Sequence, residues 1–495
     1  MEAQNRNLEK ILKVLFLFIL VLKVLESFVL TSHGDALSYH LVFPKFIIEN
    51  GFFEAHKKFF LAAQAGFFDY IYLIPQLIFG SGMVSQSLSQ FIHFSSSILL
   101  SLFFLNDLFS DRESRLPFYL CGLCFLTFNR SADFFIYAKN DGFLAFNFLV
   151  ATSLIFDFFP KNRKIYFWVI ENKYFVIGFL LGFLPTIKMN GLIYTGVLYL
   201  FFVYKKRKNI NAIIMTTIIA TLTCSTVFLR NWLMVKNPTF PAFMELFPTN
   251  ATPEMIKFHN SMLNVPASLT GILKNFLIAF TPKNLFFLFP LLILKNYRED
   301  RIRLNVLPLI IFLFTTLYCL RNPGYAAVRF YFGCHFVLLL FLGLSLQNVS
   351  FKNPPQAKTY LFIMIALILA DSKIDKSVKR ISHFYWDLLS HIERQDFLIK
   401  YVPHAIFWEK VEPNSNIASD KFPMQYYAPK NTVLYQAGNA KEANFFISCQ
   451  KHQNSPSFQY FLLVRPLTGC FRDNLDINDA IVKTSQYALF KVNSL

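Results

Sequence analysis

Charged side chains are scarce in this chain. Only 16% of its 495 residues are Asp, Glu, Lys or Arg, whereas 54% are hydrophobic and 62 are Phe. The mean hydropathy is +0.41, and a water-soluble globule could not hide that much apolar surface from solvent. The composition therefore excludes a soluble globular protein and predicts a multi-pass membrane protein.

A cleavage site for signal peptidase is also lacking. Lys23 and Glu26 interrupt the first apolar segment, 11–31, and no small-x-small site follows before Asp35. We interpret this segment as a retained first span. Lys23 and Glu26 are spaced i and i+3, so we expect them to pair with each other.

Apolar runs that could cross about 30 Å of hydrocarbon number about eleven. They lie at 11–31, 84–106, 116–129, 142–159, 174–186, 190–204, 210–229, 281–295, 304–320, 330–347 and 359–371. Segment 267–280 is either a further span or an amphipathic helix in the interface. We expect an all-α polytopic membrane domain over 1–371, with long outer loops at 32–83 and 230–280.

Lys and Arg are concentrated in one set of the short loops, which predicts the orientation. Cytoplasmic loops carry an excess of these residues, and here the set comprises Arg112, Arg115, Lys161, Arg163, Lys164, Lys205, Lys206, Arg207, Lys208, Lys295, Arg298, Arg301 and Arg303. We therefore expect a cytoplasmic-membrane protein with its N-terminus inside and its C-terminal tail outside. The net charge of +18 follows from this topology, and we expect the cationic loops to be attracted to the headgroups of the lipid bilayer. Because no basic, aromatic-interleaved soluble domain is apparent, we expect no nucleic-acid partner.

The tail, residues 372–495, has a different composition, rich in Asn, Ser, Lys, Gln and Tyr. Short strand-like runs occur at 416–419, 432–436, 460–465 and 487–492, and 440–451 has a helical pattern. The sequence predicts a small α/β domain on the outer face.

Cysteine is uncommon, with 7 residues. Cys121 and Cys124 have the spacing of a redox or zinc motif, but they lie within an apolar span with no second ligand pair nearby, which favours plain helix packing. Cys449 and Cys470 both fall in the outer tail, where thiols can be oxidised, and we predict a disulfide between them.

Ionisable side chains recur at the predicted outer ends of different spans. They are Asp35, Asp141, Lys188, Arg230, Arg321 and Arg329. Singly, each has an ordinary interpretation: Asp35 would cap a helix beginning at Ala36, and the cations would snorkel to the interface. Their shared side and depth favour a common site.

Such a site suits a phosphate on a long lipid. The hydrocarbon tail can lie between helices while Lys or Arg neutralises the headgroup, and a carboxylate can take the proton of an attacking hydroxyl. This combination predicts glycosyl transfer from a polyprenyl-phosphate sugar. Two alternatives stay open: a flippase or other transporter of lipid-linked sugars, which would not need the acidic first loop, and an O-antigen ligase or polymerase type of enzyme.

The run Asp35 to Leu41, followed by Pro44-Lys45 and Glu49-Asn50-Gly51, resembles the first outer loop of the GT-C superfamily of integral membrane glycosyltransferases. The likeness is to the bacterial branch of aminoarabinose transferases, protein O-mannosyltransferases and lipopolysaccharide galacturonic acid transferases. Further stretches agree in order over residues 1–350, at 70–80, 93–94, 139–145, 178–191, 229–241 and 329–331.

The resemblance implies a catalytic first-loop acid at Asp35 and a second functional acid at Asp141. It further implies substrate contacts at six positions, Tyr39, His40, Lys188, Arg230, Arg329 and Tyr331. Many relatives have two adjacent acids in the first loop, whereas here Ala36 follows Asp35. One carboxylate is a poor anchor for a divalent cation. No metal ligand is therefore assigned, and a divalent cofactor, completed by His40 or Asp141, stays open.

The expected reaction is a direct displacement with inversion at the anomeric carbon. The expected partners are a polyprenyl-phosphate sugar donor and a glycan, glycolipid or protein acceptor.

Overall fold

A computed structural model describes most of the chain. The described residues are 2–31, 35–52, 65–110, 115–127, 136–158, 164–240, 246–247, 269–270, 310, 313, 332–347, 374–390, 392–403, 405–419, 425–430, 432–436, 460–464, 480–483 and 487–491. The predicted spans at 281–295 and 359–371 lie outside them, as do Cys449, Cys470 and the predicted helix at 440–451. Of the predicted span at 304–320, only Ile310 and Leu313 are described.

The helices, in chain order, are α1 (Glu2–Ser27), α2 (Val42–Asn50), α3 (Leu73–Phe79), α4 (Met83–Leu108), α5 (Leu116–Thr127), α6 (Asp141–Ile155), α7 (Lys164–Glu171), α8 (Lys173–Ile187), α9 (Gly191–Lys206), α10 (Ile210–Val235), α11 (Phe332–Gln347), α12 (Ile374–Leu389), α13 (Arg394–Tyr401) and α14 (Ala405–Glu409). Eight of them, α1, α4 to α6 and α8 to α11, coincide with predicted spans. Among the described residues, α4 and α10 are long and apolar enough to cross a membrane, and α5, α6, α8 and α11 contribute shorter apolar stretches.

Helices α8 and α10 pack unusually closely because two glycines of α8 face α10. A Cβ atom on Gly178 would lie 2.7 Å from the carbonyl oxygen of Thr216, and one on Gly182 would lie 2.3 Å from that of Ala220. Small residues four apart let two helices approach in this way. The two contacts run in the same chain direction, so α8 and α10 end at the same end of the bundle.

Aromatic pairs join the other helices into one core. The rings of Phe16 and Phe118 link α1 to α5 at 5.4 Å, and those of Phe125 and Phe336 link α5 to α11 at 4.6 Å. Cys121 lies in this core and donates to the carbonyl oxygen of Leu339. Cys121 and Cys124 are both buried free thiols, as expected of packing residues.

Lys23 and Glu26 are buried and pair at 2.7 Å, which confirms the pairing expected from their spacing. The pair is not closed on itself. Lys23 also donates to Ser377, Ser377 donates to Glu26, and Arg380 lies 3.6 Å from Glu26. These contacts attach the first helix of the chain to α12.

The tail contains a five-stranded sheet of β1 (Asn416–Ser419), β2 (Val433–Gln436), β3 (Tyr460–Val464), β4 (Val482–Lys483) and β5 (Tyr487–Lys491). The strand order is β2-β1-β3-β5-β4, with β1 parallel to β2 and β3 and the other pairs antiparallel. Side chains of α14 and the sheet share a small apolar core. Four of these strands match predicted runs, whereas β4 and helices α12 to α14 were not predicted from the sequence.

Candidate active site

Asp35 occupies the N-terminal boundary of a short π-helix, Ala36–His40. Its side chain makes no capping hydrogen bond. Instead, its carboxylate accepts from the ammonium group of Lys139 at 3.1 Å. The ordinary capping interpretation of Asp35 is therefore wrong. The Lys139 side chain is completely buried, whereas that of Asp35 keeps 31% of its surface exposed.

Asp141 begins α6 and pairs with Lys188, which follows the last residue of α8. The ammonium and carboxylate are 2.5 Å apart, and the Asp141 side chain is only 3% exposed. The second carboxylate oxygen of Asp141 is buried without a hydrogen-bond partner among the described residues. Lys139 and Asp141 are two residues apart, so the two ion pairs form one cluster.

Asp69 connects the chain segments that carry this cluster. It lies in a 3-10 helix, Phe67–Tyr72, and is fully buried. Its carboxylate accepts from His40 Nδ1 at 2.7 Å, from the Gly66 amide at 2.7 Å and from Asn140 Nδ2 at 3.3 Å. Asn140 stands between Lys139 and Asp141 and also donates to the carbonyl oxygen of Ile187, next to Lys188.

Gly66 makes this connection sterically possible. A Cβ atom there would lie 1.6 Å from the carbonyl oxygen of Ile187, far inside van der Waals contact. Only glycine lets the predicted first outer loop touch the turn that carries Lys188.

His40 is fully buried beside Asp69, and Tyr39 packs against its ring with centroids 4.0 Å apart. Burial lowers the pKa of His40 below 6.5 and outweighs the opposing effect of Asp69; Lys188 and Lys139 lower it further. We infer a neutral ring at pH 7 that donates from Nδ1 to Asp69. Its Nε2 has no hydrogen-bond partner among the described residues and is left as an acceptor.

Burial also affects Lys139, whose pKa falls from 10.5 to about 7. The neighbouring Asp141 raises this pKa and Lys188 lowers it, but burial is the largest cause. The positive charge of Lys139, which pairs with Asp35, is therefore sensitive to pH near neutrality.

His93, in α4, forms a hydrogen bond with the start of α6. Its Nε2 accepts from the amide of Gly142 at 3.2 Å, and a π-turn, Ser95–Leu99, follows it within α4. His93 therefore connects α4 to the first turn of α6.

Arg230 reaches the same region through Tyr70. Its guanidinium donates to Asn231 at 2.9 Å and is hydrogen-bonded to Tyr70, the residue after Asp69. Burial raises the pKa of Tyr70, and Arg230 opposes that rise. Arg329 and Tyr331 lie outside the described residues, so their predicted contacts stay predictions.

Sequence reasoning identified Asp35, Asp141, Lys188, Tyr39 and His40, which the structure brings together. It assigned no role to Lys139 and did not consider Asp69 or Asn140. The sequence could have indicated Lys139, because it is a lysine two residues before Asp141. Nothing in the Phe-rich and Tyr-rich stretch around Asp69 indicates that Asp69 belongs to the site. Nowhere among the described residues do three or more His, Cys, Asp or Glu side chains gather as a metal site would require.

Comparison with solved structures gives a close match in architecture. ArnT from Cupriavidus metallidurans, crystallised with undecaprenyl phosphate, superposes with a TM-score of 0.59 over 96% of this chain and 97% of ArnT, at 12% sequence identity. The fold is that of ArnT. The apo crystal structure of ArnT gives the same TM-score and coverage at 11% identity. ArnT is an aminoarabinose transferase of the GT-C family. The likeness confirms a mostly helical, polytopic fold of that type, and the count of about eleven spans stays a prediction. No family profile and no curated protein sequence matches the chain.

Proposed function

We propose that this chain is a multi-pass membrane glycosyltransferase that moves a sugar from a polyprenyl-phosphate donor to a cell-envelope acceptor. The observation that carries the proposal is the cluster of Asp35, Lys139, Asp141 and Lys188. It lies in a fold shared with a protein that was crystallised with undecaprenyl phosphate. The acceptor class is a glycolipid, a polysaccharide or a protein.

The two lysines are suited to hold the donor phosphate. An ammonium group has three donors, and each lysine here has a carboxylate partner. An arriving phosphate can compete with these carboxylates for the ammonium groups. Arg230, Arg329 and Tyr331 are further candidates for phosphate contact, and Tyr39 and His40 for contact with the sugar.

The two carboxylates differ in exposure, which suggests different roles. Asp141 is 3% exposed and closely paired, so it is suited to orient Lys188. Asp35 is 31% exposed, so an acceptor hydroxyl can approach it from solvent. We therefore assign the general base to Asp35.

In the proposed reaction, Asp35 takes the proton of the acceptor hydroxyl as its oxygen attacks the anomeric carbon. The new carbon–oxygen bond forms while the bond from that carbon to the phosphate oxygen breaks. The electron pair leaves with the polyprenyl phosphate, whose charge the lysines stabilise. A single displacement inverts the anomeric configuration and needs no protein nucleophile.

The proposed orientation puts the cluster on the extracytoplasmic face of the cytoplasmic membrane. Helix α9 ends in Lys205 and Lys206 at the opposite end of the bundle, and such cationic ends are typical of cytoplasmic loops. The N-terminus is then cytoplasmic and the tail domain extracytoplasmic.

The test is product analysis in proteoliposomes that contain the purified chain, a polyprenyl-phosphate sugar and envelope glycolipids from a deletion strain. We expect free polyprenyl phosphate and one new glycosidic bond to form in equal amounts. Translocation of the donor without a new bond would favour a transporter. Activity only with a pyrophosphate-linked glycan would favour a ligase or polymerase.

A further inference from the structure

The tail domain is in direct contact with the first outer loop. A 3-10 turn of the tail, Gln425–Tyr427, lies against the π-helix Ala36–His40 that follows Asp35. The ammonium group of Lys45, in α2, donates to the carbonyl oxygen of Tyr426 at 3.1 Å and also to that of Ala428. The Lys45 residue is 4% exposed, so two carbonyl groups of the tail solvate a buried charge that also lies 3.9 Å from the Glu49 carboxylate.

Two tyrosines of the same turn complete the contact. The Tyr426 hydroxyl accepts from the Gly82 amide at 3.2 Å and donates to the Gly82 carbonyl at 3.1 Å. The Tyr427 hydroxyl donates to Gln86 at 2.5 Å, and Gln86 donates to the carbonyl oxygen of Thr31 at 2.7 Å. The tail therefore holds the chain on both sides of Asp35, at Thr31 and at Lys45.

Separating the tail from the first outer loop would be costly for Lys45. If the tail moved away, the Lys45 ammonium would lose both carbonyl partners and would retain the Glu49 carboxylate, 3.9 Å away. Losing hydrogen-bond partners of a buried charge is costly. Burial lowers the pKa of Lys45 to about 8, and the Glu49 carboxylate opposes this change.

We propose that the C-terminal domain is a working part of the catalytic unit, because its Tyr426–Ala428 segment holds the first outer loop in the conformation that directs Asp35 to Lys139. Lys45 and Tyr427 are positioning residues, since they act through the loop and touch no reacting atom. The inference deepens the proposed function, and its kinetic arm rests on it.

Two substitutions test this role, each with two readouts. Tyr427→Phe removes one hydroxyl, and Lys45→Met removes the charge at similar length. We expect kcat to fall about tenfold or more with donor KM nearly unchanged, because a small displacement of a reacting group has a large effect on rate. Hydrogen exchange should rise at the amides of 36–50 and stay unchanged in α6. The matched control is Lys491→Met, which breaks the exposed tail pair of Lys491 with Glu412 and should change neither readout.

Unchanged exchange and unchanged kcat in both variants would overturn the inference. Faster exchange throughout the chain in Lys45→Met would indicate unfolding, and Tyr427→Phe then decides. The exchange readout does not require turnover. If exchange rises at 36–50 while even the wild-type chain makes no glycoside, the tail contact stands and the proposed function fails.

Helix α12 supports a second, independent inference. Its Ser377, Arg380 and Tyr385 all contact the segment 23–26 of α1, Tyr385 through the carbonyl oxygen of Leu25 at 3.3 Å. At about 1.5 Å per residue, these contacts extend about 12 Å along α12 but only about 4.5 Å along α1. The two helices therefore cross steeply, and α12 runs across the end of α1.

The surface of α12 is divided into three sides. One side, with Ser377, Ile381, Phe384 and Asp387, is buried. An adjacent side exposes Val378 and Leu389, 41% and 74% accessible, and Trp386 is 72% accessible at its border. Exposed Ser382 and Asp375 lie between Leu389 and Trp386 on this side. Exposed Lys376 and Lys379 lie on the remaining side.

Helix α1 exposes its own apolar stripe next to this surface, formed by Ile11, Val14, Phe18, Val21 and Leu25. The stripe ends at Leu25, where Tyr385 binds. The apolar side of α12 is thus continuous with the surface that a first membrane span presents to lipid.

We infer that α12 lies in the membrane interface, with Val378 and Leu389 in the outer edge of the bilayer and its lysines toward the phospholipid headgroups. An apolar side, a basic side and a bordering tryptophan are typical of interfacial helices. The helix would then fix the height of the tail domain above the membrane.

Quenching of tryptophan fluorescence by brominated phospholipids tests this placement in proteoliposomes. The chain has 4 Trp, so each is assessed by its removal. We expect Trp386→Phe to reduce the signal quenched by lipids brominated near the headgroup. Trp408→Phe, which removes a tryptophan that is 2% exposed in the tail core, should leave it unchanged. Equal effects of the two substitutions would overturn the inference.

Discussion

Asp–Lys ion pairs lie at both ends of the neighbouring helices α6 and α8, but the pairs at the two ends differ in burial. At one end, Asp141 and Lys188 are 3% and 16% exposed. At the other end, Asp157 pairs with Lys173 and Lys205 and is 41% exposed. Exposed pairs contribute little to stability, whereas removing one member of a buried pair is strongly destabilising. The same residue types therefore have different consequences at the two ends.

The largest expected effect is on turnover, at the end that carries Asp35. Asp35→Asn keeps the shape of the side chain but removes the base, so transfer should fall by about a hundredfold or more. The measurement is the initial rate of glycoside formation with expression and detergent stability matched to wild type. Near-normal turnover in this variant would reject the assignment of the base.

Lys188→Ala should have the next largest effect, and it acts on stability as well as on donor use. It leaves the Asp141 carboxylate buried without its partner, a loss of about 3–5 kcal/mol for pairs of this kind. The thermal midpoint in detergent and the donor KM are the readouts. The double variant Asp141→Asn with Lys188→Met should recover most of the stability but not the activity; recovery of both would mean that the pair is structural only.

A third prediction concerns pH. Because burial lowers the pKa of Lys139 to about 7, the ammonium loses its proton as pH rises through neutrality, and transfer should decline above about pH 7. Lys139→Arg stays charged in this range, so its profile should lack that decline. An identical decline in both proteins would assign it to another group.

Whereas transfer should decline above about pH 7, stability should rise between pH 7 and 10.5. In this window the unfolded chain binds the Lys139 proton, whose ordinary pKa is 10.5, more tightly than the folded chain does. The free energy of unfolding therefore rises with pH. Lys45, with a pKa of about 8, acts in the same direction. Lys139→Arg should make the rise shallower than in wild type.

The smallest effect is expected at the exposed end. Asp157→Asn weakens two solvent-accessible pairs, so we expect a change in stability of about 0.5 kcal/mol or less. Turnover should stay within about twofold, because the residue lies a full helix length, about 22 Å, from Asp141. A large loss of turnover would show that the two ends of the bundle are coupled.

The bundle could be predicted because its signal is local. Long apolar runs identify α4, α10 and the helices around them without knowledge of their neighbours. Helix α12 was missed because it alternates charged and apolar residues and lies within a polar tail. Its amphipathic pattern becomes informative only next to α1.

The site was predictable only in part for a related reason. Asp35, Asp141 and Lys188 stand out as ionisable residues beside apolar runs. Asp69 acts through His40 and Asn140, and Lys45 acts through carbonyl groups of Tyr426 and Ala428, 381 and 383 positions away. Every residue has a carbonyl group, so the residue type does not show which carbonyl a lysine binds, and no pattern in the sequence indicates such a contact.

Gly66 and Ile187 limit the directions from which a substrate can reach the ionisable cluster. Since the carbonyl oxygen of Ile187 fills the space of a side chain at Gly66, no ligand fits between the two backbones at this point. In the proposed reaction, the sugar would therefore approach from the side of Asp35, which keeps 31% of its surface exposed, and not from that of Asp69, which is fully buried. Residues beside Asp35 that take no part in the reaction would then limit the size of the sugar.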